Sequence, residues 1–236
     1  AYRIVKDYKK AEQILEDILS RYPEHIFIQI QLADAHFLLE DYETAGKEYR
    51  KLMYEPAVRE RAYYGMLDTE RKLIEIRQRE LADAKEPDKI KYLLADSYYM
   101  VGQNEEAASM LQSFTPAPED CISYYGLFGR VCYTLGNLKE ARKNLLQCKK
   151  YLEDFFKNEP RSEQFIQRKK LYSELCVQIM ECMMKQKDYE GVERFMEESF
   201  PKDLSKGLLV AVNRMKVVLL YEKEQYVECI NLCEAS

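Results

Sequence analysis

A pattern of large and small residues occurs twice, 34 residues apart, between Tyr92 and Leu145. The matching positions are Leu94 and Phe128, Ala95 and Gly129, Tyr98 and Cys132, Gly102 and Gly136, Ala107 and Ala141, and Leu111 and Leu145. The glycines suit the end of a helix, where the backbone turns left-handed at no steric cost to glycine. The small residues suit the places where two helices approach most closely. The pattern therefore predicts one helical hairpin written twice.

This stretch resembles the tetratricopeptide repeat (TPR), a 34-residue helix-turn-helix unit that stacks on its neighbours. The resemblance implies an all-α fold, a right-handed superhelical α-solenoid of stacked TPR-like repeats. The same register runs back towards the N-terminus, where Ala11 and Leu15 precede Ala45 and Tyr49 by 34 residues. Lys6 and Glu40 stand there in place of the turn glycine.

We expect a single solenoid over residues 1–236, with regular repeats at about 1–57 and 88–157 and extended or divergent repeats at 161–236. Residues 58–87 are too few for a regular repeat. We expect a divergent helical pair there, with one long helix as the alternative. The mixed charges of residues 70–80 are interpreted as a solvated helix face.

Both ends of the sequence lack the pattern of a capping helix. The first residues fall inside a repeat, and the last ones come after a turn signal at Gln225 and Tyr226. Because repeat arrays need polar caps, we expect the chain to be a fragment of a longer protein. Exposed apolar faces at its ends would favour self-association.

The composition supports helices and narrows the class of protein. Only 8 glycines and 7 prolines occur in 236 residues, which favours an all-helical chain. A net charge of −5 argues against generic nucleic-acid binding, which needs a basic face. No apolar run reaches the roughly 18 residues of a membrane span. The 7 cysteines are an odd number within helical segments, which predicts reduced, mostly buried thiols in an intracellular protein, cytoplasmic or nuclear.

Residues with catalytic or metal-binding chemistry are sparse. The two histidines, His25 and His36, stand in no recognisable nucleophile arrangement, and His36 occupies a packing position of the repeat. Cys229 and Cys233 lie one helical turn apart, but a zinc site needs four ligands. The sequence thus predicts no enzyme, no metal and no cofactor. The basic run at residues 168–170 is either solvated helix surface or a contact for an acidic partner or phosphate.

Solenoids of this family bind partners on a concave face formed by the first helix of each hairpin. Helical spacing from the packing positions assigns ten residues to that face: Phe27, Ile30, Asp34, Phe37, Lys89, Tyr92, Asp96, Tyr99, Arg130 and Tyr133. Aromatic stripes at this spacing also occur as packing between adjacent repeats. The sequence leaves open which of these roles the tyrosines and phenylalanines have.

Acidic residues decide the kind of partner expected. Asp34 and Asp96 stand where a groove for a carboxylate-rich chaperone tail would need amide donors, so such a tail is disfavoured. A helix or extended peptide with apolar or aromatic anchors and some basic residues fits better. We therefore expect a non-catalytic protein–protein interaction scaffold, part of a larger protein or complex. The alternative is a peptide-sensing regulatory module of a signalling or transcription-regulator protein.

Overall fold

The computed structural model describes residues 7–159, 162–198, 201 and 205–234. These ranges contain α-helices and one 3-10 turn at Pro118–Asp120, and no strand. The helices are α1 (Tyr8–Arg21), α2 (Ile26–Leu38), α3 (Tyr42–Leu52), α4 (Arg59–Ala82), α5 (Pro87–Met100), α6 (Asn104–Gln112), α7 (Cys121–Thr134), α8 (Leu138–Asn158), α9 (Phe165–Lys185), α10 (Tyr189–Glu198), α11 (Lys206–Glu222) and α12 (Tyr226–Glu234). The predicted all-α fold class is confirmed. The turn expected at Lys6 lies outside the described residues.

The chain divides into two compact units, Ala1–Phe114 and Thr115–Ser236. The first unit contains α1 to α6, and the second contains α7 to α12. Each unit has its own buried core, so each is described by itself.

Five helical hairpins in the described ranges have the same type of turn. The left-handed residue of each turn has a φ between 57° and 82°, and these residues are Glu40, Gly102, Gly136, Lys187 and Glu224. The next N–H donates to the carbonyl five residues back, as from Gln103 to Tyr98 at 2.8 Å and from Asp41 to His36 at 3.0 Å. This bond closes a Schellman motif, which satisfies a carbonyl at the end of the first helix. The predicted turns at Gly102 and Gly136 are confirmed, and the register tolerates glutamate or lysine in their place.

Glu40→Gly is expected to raise the free energy of unfolding by about 0.5–1 kcal/mol. A residue with a Cβ pays roughly 1–2 kcal/mol in a left-handed conformation, and part of the gain is offset by the greater freedom of glycine in the unfolded chain. Urea denaturation of the two proteins measures the difference. Glu40→Ala is the control because it keeps the strained φ of 65°. Equal stability of the glycine and alanine variants would show that the turn carries no strain.

The small residues of the repeat lie at the predicted close approaches between helices. Ala95, Ala107 and Ala141 are each 0% exposed. A Cβ on Gly129 of α7 would lie 2.5 Å from Leu145 Cδ2 of α8. The hairpin helices therefore approach too closely at this point for any larger side chain.

The interval 58–87 contains one long helix, α4 (Arg59–Ala82), rather than the expected divergent pair. Contacts along α4 show that it is antiparallel to both neighbouring helices. Glu43, early in α3, pairs with Arg77, late in α4, at 2.5 Å. Arg77 also donates to the carbonyl of Leu93, early in α5, at 2.9 Å, whereas Glu70 meets Ser97, later in α5, at 2.6 Å. It follows that α5 runs in the direction of α3, not in that of α2.

Five of the seven cysteines are buried, and all seven are free thiols. Burial raises the pKa of Cys148 and of Cys176 to about 12. It raises the pKa of Cys132 and of Cys182 to about 11. These thiols stay protonated at neutral pH and pack as small apolar residues. The prediction of mostly buried cysteines is confirmed, while the compartment stays a prediction.

Within the described ranges, no helix combines the length and the apolar character that crossing a bilayer requires.

Candidate interaction surfaces

The predicted surface residues of α2 separate into an exposed and a buried group. Phe27 is 56% exposed, but Ile30 is 1% exposed and lies in the core of the first unit. Phe37 is half-buried against the same core, with its ring edge-on to Tyr42 at 5.3 Å between centroids. Assigning Ile30 to a partner-binding face was wrong, because α2 packs against α1, α3 and α4 and is covered on more than one side.

Asp34 and Asp96 are already paired within the chain. Asp34 accepts a hydrogen bond from the Tyr49 hydroxyl at 2.7 Å and forms an ion pair with Arg61 of α4. Burial, and then the bond to Asp34, raises the pKa of Tyr49, so its hydroxyl remains a donor. Asp96 pairs with Arg50 of α3 at 2.9 Å. Each acid therefore has an internal cation before any partner arrives.

A partly buried polar network joins α3, α4 and α5. Its centre is Glu70, which is 1% exposed and lies 2.6 Å from Arg50 Nη2. Ser97, 0% exposed, donates to the other carboxylate oxygen at 2.6 Å, and Arg77 donates to the Ser97 hydroxyl at 2.5 Å. Burial of Arg50 opposes its charge, but Asp96 and Glu70 outweigh that effect and raise the pKa of the guanidinium. We refer to Arg50, Glu70, Arg77, Asp96 and Ser97 as the α3–α5 polar network.

The interpretation of residues 70–80 as a solvated face was wrong for two of its members. Glu70 and Arg77 are buried, while Arg71, Lys72 and Glu75 are exposed. The buried pair stands seven residues apart, which places both side chains on one helical face. That spacing was a signal in the sequence, although it could not reveal that Ser97 and Arg50 would face them.

The remaining predicted residues lie on α5 and α7. Lys89 is exposed, and Tyr92 and Tyr99 are half-buried. On α7, Arg130 is exposed and Tyr133 is half-buried. The Lys185 ammonium of α9 lies 4.2 Å from the centroid of the Tyr133 ring. Tyr133 thus contributes to packing within its own unit as well as to the surface.

The predicted residues of α2 and α5 do not form one row in the first unit. Asp34 of α2 reaches Arg61 of α4, whereas Asp96 of α5 reaches Arg50 of α3. Because one helix and not two separates α3 from α5, α2 neighbours α4 and α5 neighbours α3. The first helices of successive hairpins were expected to lie side by side. The single helix α4 interrupts that order between α3 and α5.

His36 has polar contacts as well as a packing position. It is 7% exposed, and its Nδ1 lies 2.7 Å from Glu48 Oε2 of α3. Its Nε2 lies 3.2 Å from Glu12 Oε1 of α1. Burial raises the pKa of Glu48. These contacts of His36 tie α1 and α3 to α2.

Glu12, Glu16 and His36 could also be considered as metal ligands. Each offers one ligand atom within 4.8 Å of the others. Three ligands are one fewer than a closed tetrahedral site takes.

Comparison with known proteins gives likenesses among solved structures. No protein-family model matches the chain, and no curated protein matches it. Among solved structures, the chain is similar to the crystal structure of MamA protein, with 18% identity and a TM-score of 0.36 over 67% of this chain and 90% of that one. At that TM-score the likeness carries no argument about the fold or the function of this chain.

Proposed function

We propose that the chain is a TPR-like α-solenoid that acts as a non-catalytic protein–protein interaction scaffold. The observation that carries this proposal is the repeated hairpin, with the same left-handed turn at five places. Proteins built from stacked hairpins expose extended helix faces, which serve as binding surfaces. An intracellular setting, cytoplasmic or nuclear, is part of the proposal, and the buried protonated thiols fit it.

The partner we propose is a helix or an extended peptide with apolar or aromatic anchors and some basic residues. Phe27 would supply an exposed aromatic contact, and Tyr99 a half-buried one. Burying such an anchor contributes roughly 1.5–3 kcal/mol. Because Asp34 and Asp96 are paired with Arg61 and Arg50, the attraction for basic residues of the partner would come at longer range from the net charge of −5 and not from these two acids.

Self-association is a second part of the proposal, and the last hairpin supports it. Several apolar residues of α11 and α12 are exposed: Leu209, Val210, Val218, Val227 and Ile230. Exposed apolar residues of this kind favour contact with another helix.

An affinity capture from the native cell tests the scaffold. The baits are the wild-type chain, Phe27→Ala and Tyr99→Ala. Because loss of a central aromatic anchor costs about 2 kcal/mol or more, we expect at least about tenfold less of each specific partner on the variants. Asp96→Lys is unsuitable as a variant, because it would place a second cation against Arg50.

Tyr54→Ala is the matched control, since Tyr54 is 80% exposed and lies outside the predicted surface. Circular dichroism confirms that each bait is folded. Capture of the same proteins at the same yield by all four baits would reject a binding role for Phe27 and Tyr99.

A further inference from the structure

A cleft opens in the second unit beside α8 and α9. Its volume is about 570 Å³, and its lining residues are Glu153, Phe156, Lys157, Phe165, Lys169, Tyr172 and Pro201. Ligand pockets in proteins have volumes of about 300–1,000 Å³. The cleft is thus large enough for one or two side chains of a bound segment.

Aromatic rings from both helices form the apolar wall of the cleft. The Phe156 ring of α8 lies 5.2 Å from the Phe165 ring and 5.7 Å from the Tyr172 ring of α9, measured between centroids, and both contacts are edge-on. These contacts between α8 and α9 fix the positions of the rings. An apolar side chain entering the cleft would meet a wall that is already formed, which lowers the entropy cost of binding.

The acid in the wall is neutralised within the protein. Glu153 Oε1 lies 2.5 Å from the ammonium of Lys149, which is 7% exposed, and accepts a hydrogen bond from the Tyr172 hydroxyl at 2.9 Å. Burial, followed by the proximity of Cys176 and Glu153, raises the pKa of Tyr172. Glu153 therefore adds little negative field at the mouth of the cleft.

Two lysines, Lys157 and Lys169, line the cleft beside a single acid of the described residues, Glu153. The side chain of Lys157 is 76% exposed, and its contact with Asp154 is long, at 3.9 Å. Lys169 is also exposed. The guanidinium of Arg168 lies 4.0 Å from the centroid of the Phe155 ring, and Lys170 is 79% exposed with Glu174 at 4.0 Å. Of the basic run at residues 168–170, Lys169 therefore lines the aromatic cleft, on a chain whose net charge is −5.

We propose that this cleft docks an acidic segment of a partner protein. One aromatic or aliphatic side chain of the segment packs against the wall formed by Phe156, Phe165 and Tyr172, and the carboxylates of the segment face Lys157 and Lys169. The aromatic wall favours an anchored peptide over a bare phosphate, which would leave that wall without a contact. The segment is opposite in charge to the partner proposed for the first unit, so this surface is a second and separate one.

Synthetic peptides test the proposal by fluorescence anisotropy with the whole chain. The probe is a short fluorescein-labelled peptide of alternating glutamate and glycine with a central phenylalanine. One comparison peptide has alanine in place of phenylalanine, and another has lysine in place of glutamate. We expect saturable binding of the probe, and at least about tenfold weaker binding of either comparison peptide.

Two variants of the protein locate the site. Phe156→Ala removes part of the aromatic wall. The double variant Lys157→Glu with Lys169→Glu reverses the charge at the mouth of the cleft and leaves the packed rings unchanged. Each is expected to weaken probe binding at least about tenfold. The matched controls are Ile166→Ala, at a residue that is 82% exposed on α9, and Lys139→Glu with Lys143→Glu, two exposed lysines of α8. Both controls should bind the probe as the wild-type chain does.

Several results would overturn the proposal. They are absence of saturable binding, equal binding of the phenylalanine and alanine peptides, and equal losses in the cleft variants and the controls. None of these results bears on Phe27 and Tyr99, which are tested by capture with separate variants. Failure of this proposal is therefore distinguishable from failure of the scaffold proposal.

Discussion

Replacing Arg50 with methionine is expected to lower the stability of the first unit by about 2–3 kcal/mol, less than the roughly 3–5 kcal/mol of a fully buried pair, because the Arg50 side chain is 36% exposed. Arg50 is the cation 2.6 Å from Glu70, whose side chain is 1% exposed. Removing one partner of a buried ion pair leaves an uncompensated charge, and this costs far more than the net contribution of the pair. Asp96 loses its 2.9 Å partner in the same step. The hydroxyl of Ser97 alone cannot replace a full positive charge.

Native-state hydrogen exchange of the α4 amides measures this loss of stability in the first unit alone. The double variant Arg50→Met with Glu70→Leu should recover most of the stability, because well-packed apolar residues often replace a buried ion pair at little cost. Arg71→Met is the control, since its side chain and that of Asp68 are 62% and 61% exposed, and it should change stability by less than about 0.5 kcal/mol. A loss below about 1 kcal/mol in Arg50→Met would mean that solvent or Arg77 compensates Glu70.

Two glycines of α7 are expected to respond to alanine in opposite directions. At Gly129 the new Cβ would lie 2.5 Å from Leu145 Cδ2 and 2.6 Å from its Cγ, and Leu145 is 1% exposed. Since neither helix can move away freely in a packed hairpin, Gly129→Ala should destabilise the second unit by about 1–3 kcal/mol. At Gly126 the nearest atom would be Cys148 Sγ at 3.5 Å, an ordinary contact. Gly126→Ala should stabilise by about 0.5–1 kcal/mol, because alanine favours the helix.

Thermal denaturation of the two variants compares them directly, because both changes add one methyl group to the same helix. The sign of the difference is the decisive quantity. If Gly129→Ala were as stable as Gly126→Ala, α7 and α8 could separate slightly without loss, and the small residue would not be needed for the hairpin.

The hairpins were predictable from sequence because their determinants are local. A turn residue and the small residues around it lie within about fifteen positions of one another, so their spacing is preserved in the chain. Gly102, Gly136 and Ala141 illustrate this, and their predicted roles match the structure. Even Glu40 lies at its predicted turn, since the neighbouring helices fix the left-handed conformation that glycine would adopt more readily.

The burial of charged residues was not predictable in the same way. Glu70 meets Ser97 across 27 positions of sequence and Arg50 across 20. Periodicity places a residue on a face of its helix but does not say which other helix covers that face. For the same reason Ile30 was assigned to a partner and lies instead in the core.

The position of the candidate surface also depended on the number of helices at residues 58–87, which the spacing of residues did not decide. The interval at residues 58–87 fitted either one helix or two, and the choice determines which helices become neighbours. With one helix, the acids of α2 and α5 find different arginines, Arg61 and Arg50. The basic cleft of the second unit was missed because its aromatic wall combines residues of α8 with residues of α9.

The single helix α4 also limits how this protein can be re-engineered by module exchange. A hairpin returns the chain to the direction in which it entered, so one hairpin can be duplicated, deleted or replaced by a consensus repeat without altering the orientation of the later helices. A lone helix reverses that direction. Deleting α4 would require α5 to meet α3 with inverted polarity, and the bond between Arg50 and Asp96 would have no counterpart. Library designs should therefore keep residues 42–100 as one indivisible cassette and place their junctions outside it.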